Sequence, residues 1–351
     1  MSQQRFVQID EEGFFSSSGL RVTDENYGLA LLDNLRVEGR GFVTVFQDEK
    51  IIVEAFDQPL VARHIEILNP EKARAHFAYG HAQTFALQTL RADMWDRFHA
   101  RTAENDVPLV LSRTAQMELF NVADSFDDDS ITIQKNQIKI QGLQGSKDDV
   151  ENPNFWSEKY GQWQAGTAEK PGWELNAPAA PLASILTQIK LPRQRICNLG
   201  CGSGHDAAYL SEQGHIVTGV DWSEEAITLG REKYGENKQL RFAHEEAFDF
   251  AKSHPTEFDL VFEHTFFCAI EPSKREALIQ AWKRMLTPEG HLLAIFFILD
   301  QTGGSPPFGV TEWELRESLR PHFEFLFWTR WRHSTPDRLG RELVIYAKKR
   351  G

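Results

Sequence analysis

A chain of 351 residues, 41% apolar and 25% charged, has ordinary globular composition and fits two domains better than one. It holds no run of about 18 apolar residues to span a membrane, and its opening, MSQQRFVQIDEEGFF, lacks the apolar stretch of a secretory signal. A net charge of −13, with 24 acidic against 15 basic residues in the first 150, disfavours nucleic acid or an anionic membrane surface as partner, because phosphate binding needs basic patches.

The first third carries short β-branched or alternating runs at 41–46 (GFVTVF), 51–56 (IIVEAF) and 107–112 (VPLVLS). Residues 131–141 alternate apolar and polar on both sides of Lys135-Asn136, which predicts a β-hairpin. Residues 71–103 have few breakers and read as helical. Residues 1–145 are therefore expected to form a smaller α+β domain, and the polar stretch 145–154 (GSKDDVENPN) to link it to a second domain spanning 146–351.

From residue 190 the pattern changes to strands alternating with helices. Strands are expected at 195–200, 215–221, 240–247, 258–266 and 290–299, with helices at 205–214, 223–235 and about 273–286. Such alternation implies an α/β fold with a parallel, Rossmann-like sheet covered on both faces. The final pair of strands, near FEFLFWTRW and RELVIYAK, is joined by too short a loop for a helical crossover, so it should pair antiparallel.

The strongest local signal is Asn198-Leu-Gly-Cys-Gly-Ser-Gly204 after the first of these strands, with Asp221 closing the second. Glycines there allow a tight turn and close backbone approach to a ligand, and the acidic residue can accept from ribose hydroxyls. Gly200-x-Gly202-x-Gly204 departs from the GxGxxG of dinucleotide sites, which argues against NAD and for S-adenosylmethionine, a ligand without pyrophosphate. Glu246-Ala247-Phe248 is expected to end the third strand, where the adenine would be held and stacked.

The run Phe258-Asp-Leu-Val-Phe-Glu-His-Thr-Phe-Phe-Cys-Ala-Ile-Glu-Pro272 resembles the fourth-strand motif of the thiopurine S-methyltransferase superfamily, closest to its halide/thiol branch. That branch is similar in three other places: the tryptophan-rich segment from Phe155-Trp156 through Trp163 to Trp173, the loop Gly303-Gly304-Ser-Pro-Pro307-Phe308, and Thr335–Arg341. The resemblance covers about 152–350 and implies a class I methyltransferase fold of seven strands, the last antiparallel. It also implies S-adenosylmethionine as cofactor and S-adenosylhomocysteine as product. Cofactor contacts carry over to Trp156, Trp163, Trp173, Gly200, Asp221, Glu246 and Ala247, with Gly202 in the same loop. The next contact falls on His264, where the family often has tyrosine.

The methyl donor carries its own leaving group, so an in-line nucleophile shielded from water is the main requirement. A halide, bisulfide, thiocyanate or thiolate needs no general base. Trp156, Trp163, Trp173, Phe266, Phe267 and Phe308 are expected to line an aromatic pocket for a small-molecule acceptor, with Phe267, Phe308 and His264 nearest the chemistry. Phe266 and Phe267, adjacent on a strand end, should nevertheless point one to the core and one to the site. His264 has three readings: base for a thiol, hydrogen-bond donor to an anion, or structural histidine. Cys268 is not needed as a nucleophile. Three cysteines, Cys197, Cys201 and Cys268, suit a reducing cytoplasm. His76 and His81 are poorly spaced as helical metal ligands and Asp127-Asp128-Asp129 reads as a solvated loop, so no metal is expected. Detoxification of thiopurines or of selenium and tellurium oxyanions is a second reading; a cofactor sensor without turnover is a third. The acidic N-terminal domain is expected to regulate, to dimerise or to recruit a protein.

Overall fold

A computed structural model describes residues 4–127, 129–142, 150, 152–300 and 306–351. It divides into two units, 1–144 with Thr311–Glu314, and 145–310 with 315–351. Most of the polar stretch 145–154, with Asp128, Gly303 and Gly304, lies outside the described residues.

The first unit is mostly strand. Its six-stranded sheet runs in the order Leu20–Arg21, Phe15–Ser17, Arg5–Ile9, Glu49–Ala55, Gly41–Phe46 and Arg36–Glu38. Helices Glu25–Asp33 and Arg113–Val122 begin at Asp24 and Ser112, whose side chains accept from Tyr27 N and Ala115 N. The expected hairpin forms between Ser130–Ile133 and Asn136–Lys139. Its turn is Gln134-Lys135, both at positive φ, one residue earlier than the alternation suggested. The helical reading of 71–103 is corrected: Lys72–His76 and Ala82–Ala86 are antiparallel strands. Ala73 and Ala75 are buried while Lys72 and Arg74 are exposed, a period of two. Strong helix formers (Ala, Lys, Arg, Gln) hid that alternation, and packing overrode their propensity.

The second unit holds a seven-stranded sheet: β1 (Arg195–Leu199), β2 (Ile216–Asp221), β3 (Leu240–His244), β4 (Phe258–His264), β5 (Leu286–Phe297), β6 (Phe323–Trp331) and β7 (Glu342–Lys349), in the order β3-β2-β1-β4-β5-β7-β6. The first five are parallel; β7 pairs antiparallel with both β5 and β6. Successive residues of the central strands face opposite cores. Cys197, Val261, Leu292 and Ala294 enter one core cluster, while Ile196, Leu260, Phe262 and Leu293 enter the other. Both faces are therefore covered, as a parallel sheet requires. Strand order reverses beside β1, and the carboxyl ends of β1, β2 and β4 meet there, the position where open α/β sheets bind ligands.

Candidate active site

The helices needed for the site are α1 (Pro153–Gln164), α2 (Ala180–Ile189), α3 (His205–Glu212), α4 (Glu224–Tyr234) and α5 (Ala247–Ser253). Gly200, Gly202 and Gly204 all sit at positive φ between β1 and α3. At these three positions the loop has no room for a side chain. A Cβ on Gly200 would come 2.3 Å from the Phe266 ring, and one on Gly202 would come 2.6 Å from the Tyr160 hydroxyl. Asp221 braces the loop from the end of β2: Oδ2 accepts from Gly202 N at 2.8 Å and Oδ1 from Ser223 N at 2.9 Å. Burial raises the Asp221 carboxyl while these N–H donors pull it back down.

The tryptophan segment packs over this loop. Trp156 and Tyr160, four residues apart, share one face of α1. Trp173 crosses Trp156 edge-on at 5.6 Å and donates from Nε1 to the Tyr160 hydroxyl at 3.0 Å. Glu174 fastens the segment: it accepts from Ser203 Oγ, pairs with His205 Nε2, and accepts from Asn176 N at 2.9 Å. Those donors hold its carboxyl down at about 2 despite burial, which works against them.

These pieces enclose a cavity of about 630 Å³. One part of its wall comes from Trp156, Tyr160, Trp173, Gly200, Gly202, Asp221, Trp222, Glu246, Ala247 and Phe248. Glu246 does not end β3, as the sequence suggested. It caps α5, its Oε2 accepting from Phe248 N and Asp249 N, and Oε1 has no partner among the described residues. The other part comes from Phe266, Cys268, Ile270, Glu271 and Lys274 after β4, Phe297 at the end of β5, Pro306, Pro307, Asp337 and Arg338.

Of the expected site residues, Trp156, Trp173, Gly200, Gly202, Asp221, Glu246 and Ala247 meet on this wall. Four stand off it. Trp163, also on α1, is half-buried with its ring 6.5 Å from Tyr160. Phe267 is buried in the core, edge-on to Phe296 at 5.2 Å, because the turn that sends Phe266 into the cavity sends its neighbour inward. That turn is pinned beneath by Glu263, whose Oε1 accepts from Phe267 N at 2.8 Å; burial pushes its carboxyl up to about 7. Phe308 is buried, its backbone N donating to Cys268 O at 2.6 Å. His264 is buried behind the wall, between Asp206 and Arg338.

Tyr160, Glu174, Asp206 and Arg338 went unread in the sequence. Tyr160 had a signal in its four-residue spacing from Trp156. Arg338 sat inside the quoted segment Thr335–Arg341 with nothing local to mark it. Burial pushes Cys268 up to about 12, so its thiol stays protonated at neutral pH.

The family model for thiopurine S-methyltransferase matches residues 151–338. The Arabidopsis thaliana protein named "Probable thiol methyltransferase 2" is 32% identical over 193 residues, covering 53% of this chain and 83% of that protein. Thiocyanate methyltransferase 1 of the same plant is 32% identical over 201 residues, covering 52% and 86%. Among solved structures, the Burkholderia thailandensis 1,6-didemethyltoxoflavin-N1-methyltransferase, crystallised with 1,6-didemethyltoxoflavin and S-adenosylhomocysteine, is 22% identical with a TM-score of 0.47, covering 65% of this chain and 99% of that one.

Proposed function

We propose, starting from the fact that this chain belongs to the thiopurine S-methyltransferase family and is an S-adenosylmethionine-dependent methyltransferase, that its acceptor is a small soft nucleophile: halide, thiol, bisulfide or thiocyanate. The residues present suit the cofactor. The glycine loop offers bare backbone, Asp221 stands at the end of β2, and Glu246 Oε1 has no partner among the described residues. Gly200, Gly202, Asp221, Glu246 and Ala247 would hold its nucleoside, and Trp156 and Trp173 would cover it. Bound S-adenosylmethionine supplies a methyl group already activated on a sulfonium.

The chain's own residues then have three tasks. Trp156, Tyr160 and Trp173 exclude water, and each ring face set over the sulfonium would add roughly 0.5–2 kcal/mol. Phe266, Ile270 and Phe297 give the acceptor end an apolar wall that strips a soft anion of its water. Arg338 puts a guanidinium at that end, a partner for an acceptor that arrives already ionised.

The observation that carries this reading is the pairing of an aromatic wall with Arg338 in one cavity, since a pre-ionised acceptor calls for a counter-charge. The full chain, first shown by calorimetry to bind S-adenosylmethionine, is incubated with iodide, thiocyanate, bisulfide, 6-mercaptopurine and selenite. S-adenosylhomocysteine formation with one of the first three is expected. Turnover of the last two alone would move the acceptor to the detoxification reading, and binding without any turnover would favour a sensor.

A further inference from the structure

His264 does not face the cavity, yet it touches the residue that does. Arg338 Nη1 lies 2.8 Å from His264 Nε2 and 3.5 Å from Glu342 Oε1, with its guanidinium carbon 5.4 Å from the Phe297 ring centre. A guanidinium only donates hydrogen bonds, so His264 Nε2 accepts and the ring proton sits on Nδ1. That nitrogen is 2.7 Å from Asp206 Oδ2, a carboxylate oxygen that only accepts. Asp206 is fixed in turn by Ala179 N, 2.7 Å from Oδ1, where α2 begins. Each bond in the row from Arg338 Nη1 to Asp206 therefore runs from a donor to an acceptor, with the imidazole held in one tautomer.

We propose that His264 and Asp206 are positioning residues for methyl transfer: they hold the Arg338 guanidinium in the cavity wall, where it fixes an anionic acceptor. The inference rests on the acceptor class proposed above. Arg338 closes a short turn, Pro336–Arg338, ahead of β7, and a long side chain there would otherwise sample many rotamers. Docking Nη1 on a buried imidazole removes that freedom on one side and leaves the residue on the wall. Asp206 sits in the first turn of α3, directly after the glycine loop, so one carboxylate links the cofactor loop to the acceptor's counter-charge. In-line transfer needs those two in fixed relation.

The full chain carrying His264→Leu, His264→Gln, Arg338→Ala and the double change His264→Leu/Arg338→Ala tests this, with thiocyanate and iodide as acceptors. His264→Leu should raise the acceptor KM roughly tenfold or more, while the calorimetric Kd for S-adenosylmethionine stays within about twofold. His264→Gln, whose amide oxygen can accept from Arg338, should recover most of that loss. The double variant should be no worse than Arg338→Ala alone. Equal effects of His264→Leu on acceptor and cofactor, or additive losses in the double variant, would overturn the proposal. A wild-type chain that turns over neither of these anions nor bisulfide would overturn the acceptor class itself and this inference with it.

Discussion

The two ends of the cavity are built differently. At the cofactor end the glycine loop and Asp221 fall within 22 residues, and Asp221 accepts directly from Gly202 N. At the acceptor end, Phe266 follows β4, Phe297 ends β5 and Arg338 precedes β7, and Arg338 meets His264 from 74 residues away. Short-range construction makes the cofactor end rigid and intolerant; long-range construction lets the acceptor end change by side-chain replacement. Substitutions should therefore separate the two ends by size of effect.

The largest loss is expected for Gly200→Ala. Its Cβ would overlap the Phe266 ring at 2.3 Å on a backbone at φ +63°, and the cofactor Kd should rise about a hundredfold or more in calorimetry. A normal Kd would show that the loop can shift and break the claim of rigidity. Asp221→Asn comes next. Both carboxylate oxygens accept from N–H groups, and an amide NH2 would oppose one of them. The Kd should rise roughly tenfold to a hundredfold, with a smaller change in acceptor KM.

The Glu174 clasp gives a pH signature. Its folded-state carboxyl is lowered from 4.5 to about 2, so its contribution is fully present above pH 4.5 and is lost as pH falls from there toward 2. Glu174→Gln should remove up to about 3 kcal/mol of stability at neutral pH, and the melting temperatures of variant and wild type should converge across that acid window. Parallel curves would mean that the clasp carries no charge-dependent stability. The smallest effect belongs to the acceptor end. Cys268→Ser should leave turnover within about twofold, because a thiol pushed up to about 12 is no nucleophile at neutral pH.

The same contrast sets what the sequence could show. The glycine loop, Asp221 and the seven-stranded order were legible because each depends on local pattern: glycines needing positive φ, strands alternating with helices, and a final connection too short for a crossover. Phe267 and Phe308 were read as wall residues because aromatic character gives no direction; the turn after β4, where Thr265 has φ +61°, decides that Phe266 faces the cavity and Phe267 the core. The Asp206–His264–Arg338 row could not be read at all, since its members lie 58 and 74 residues apart and meet only through sheet order. In the first unit, helix-forming side chains at Lys72–His76 masked a strand whose alternation relied on alanine.

The most direct test of the acceptor assignment is one competition experiment: full-length protein, S-adenosylmethionine carrying a deuterated methyl group, and equimolar iodide, thiocyanate, bisulfide and 6-mercaptopurine, with the headspace and solution read by mass spectrometry. The label should appear mainly in methyl iodide, methyl thiocyanate or methanethiol. Label confined to the mercaptopurine, or absent from every acceptor while the cofactor binds, would contradict the account.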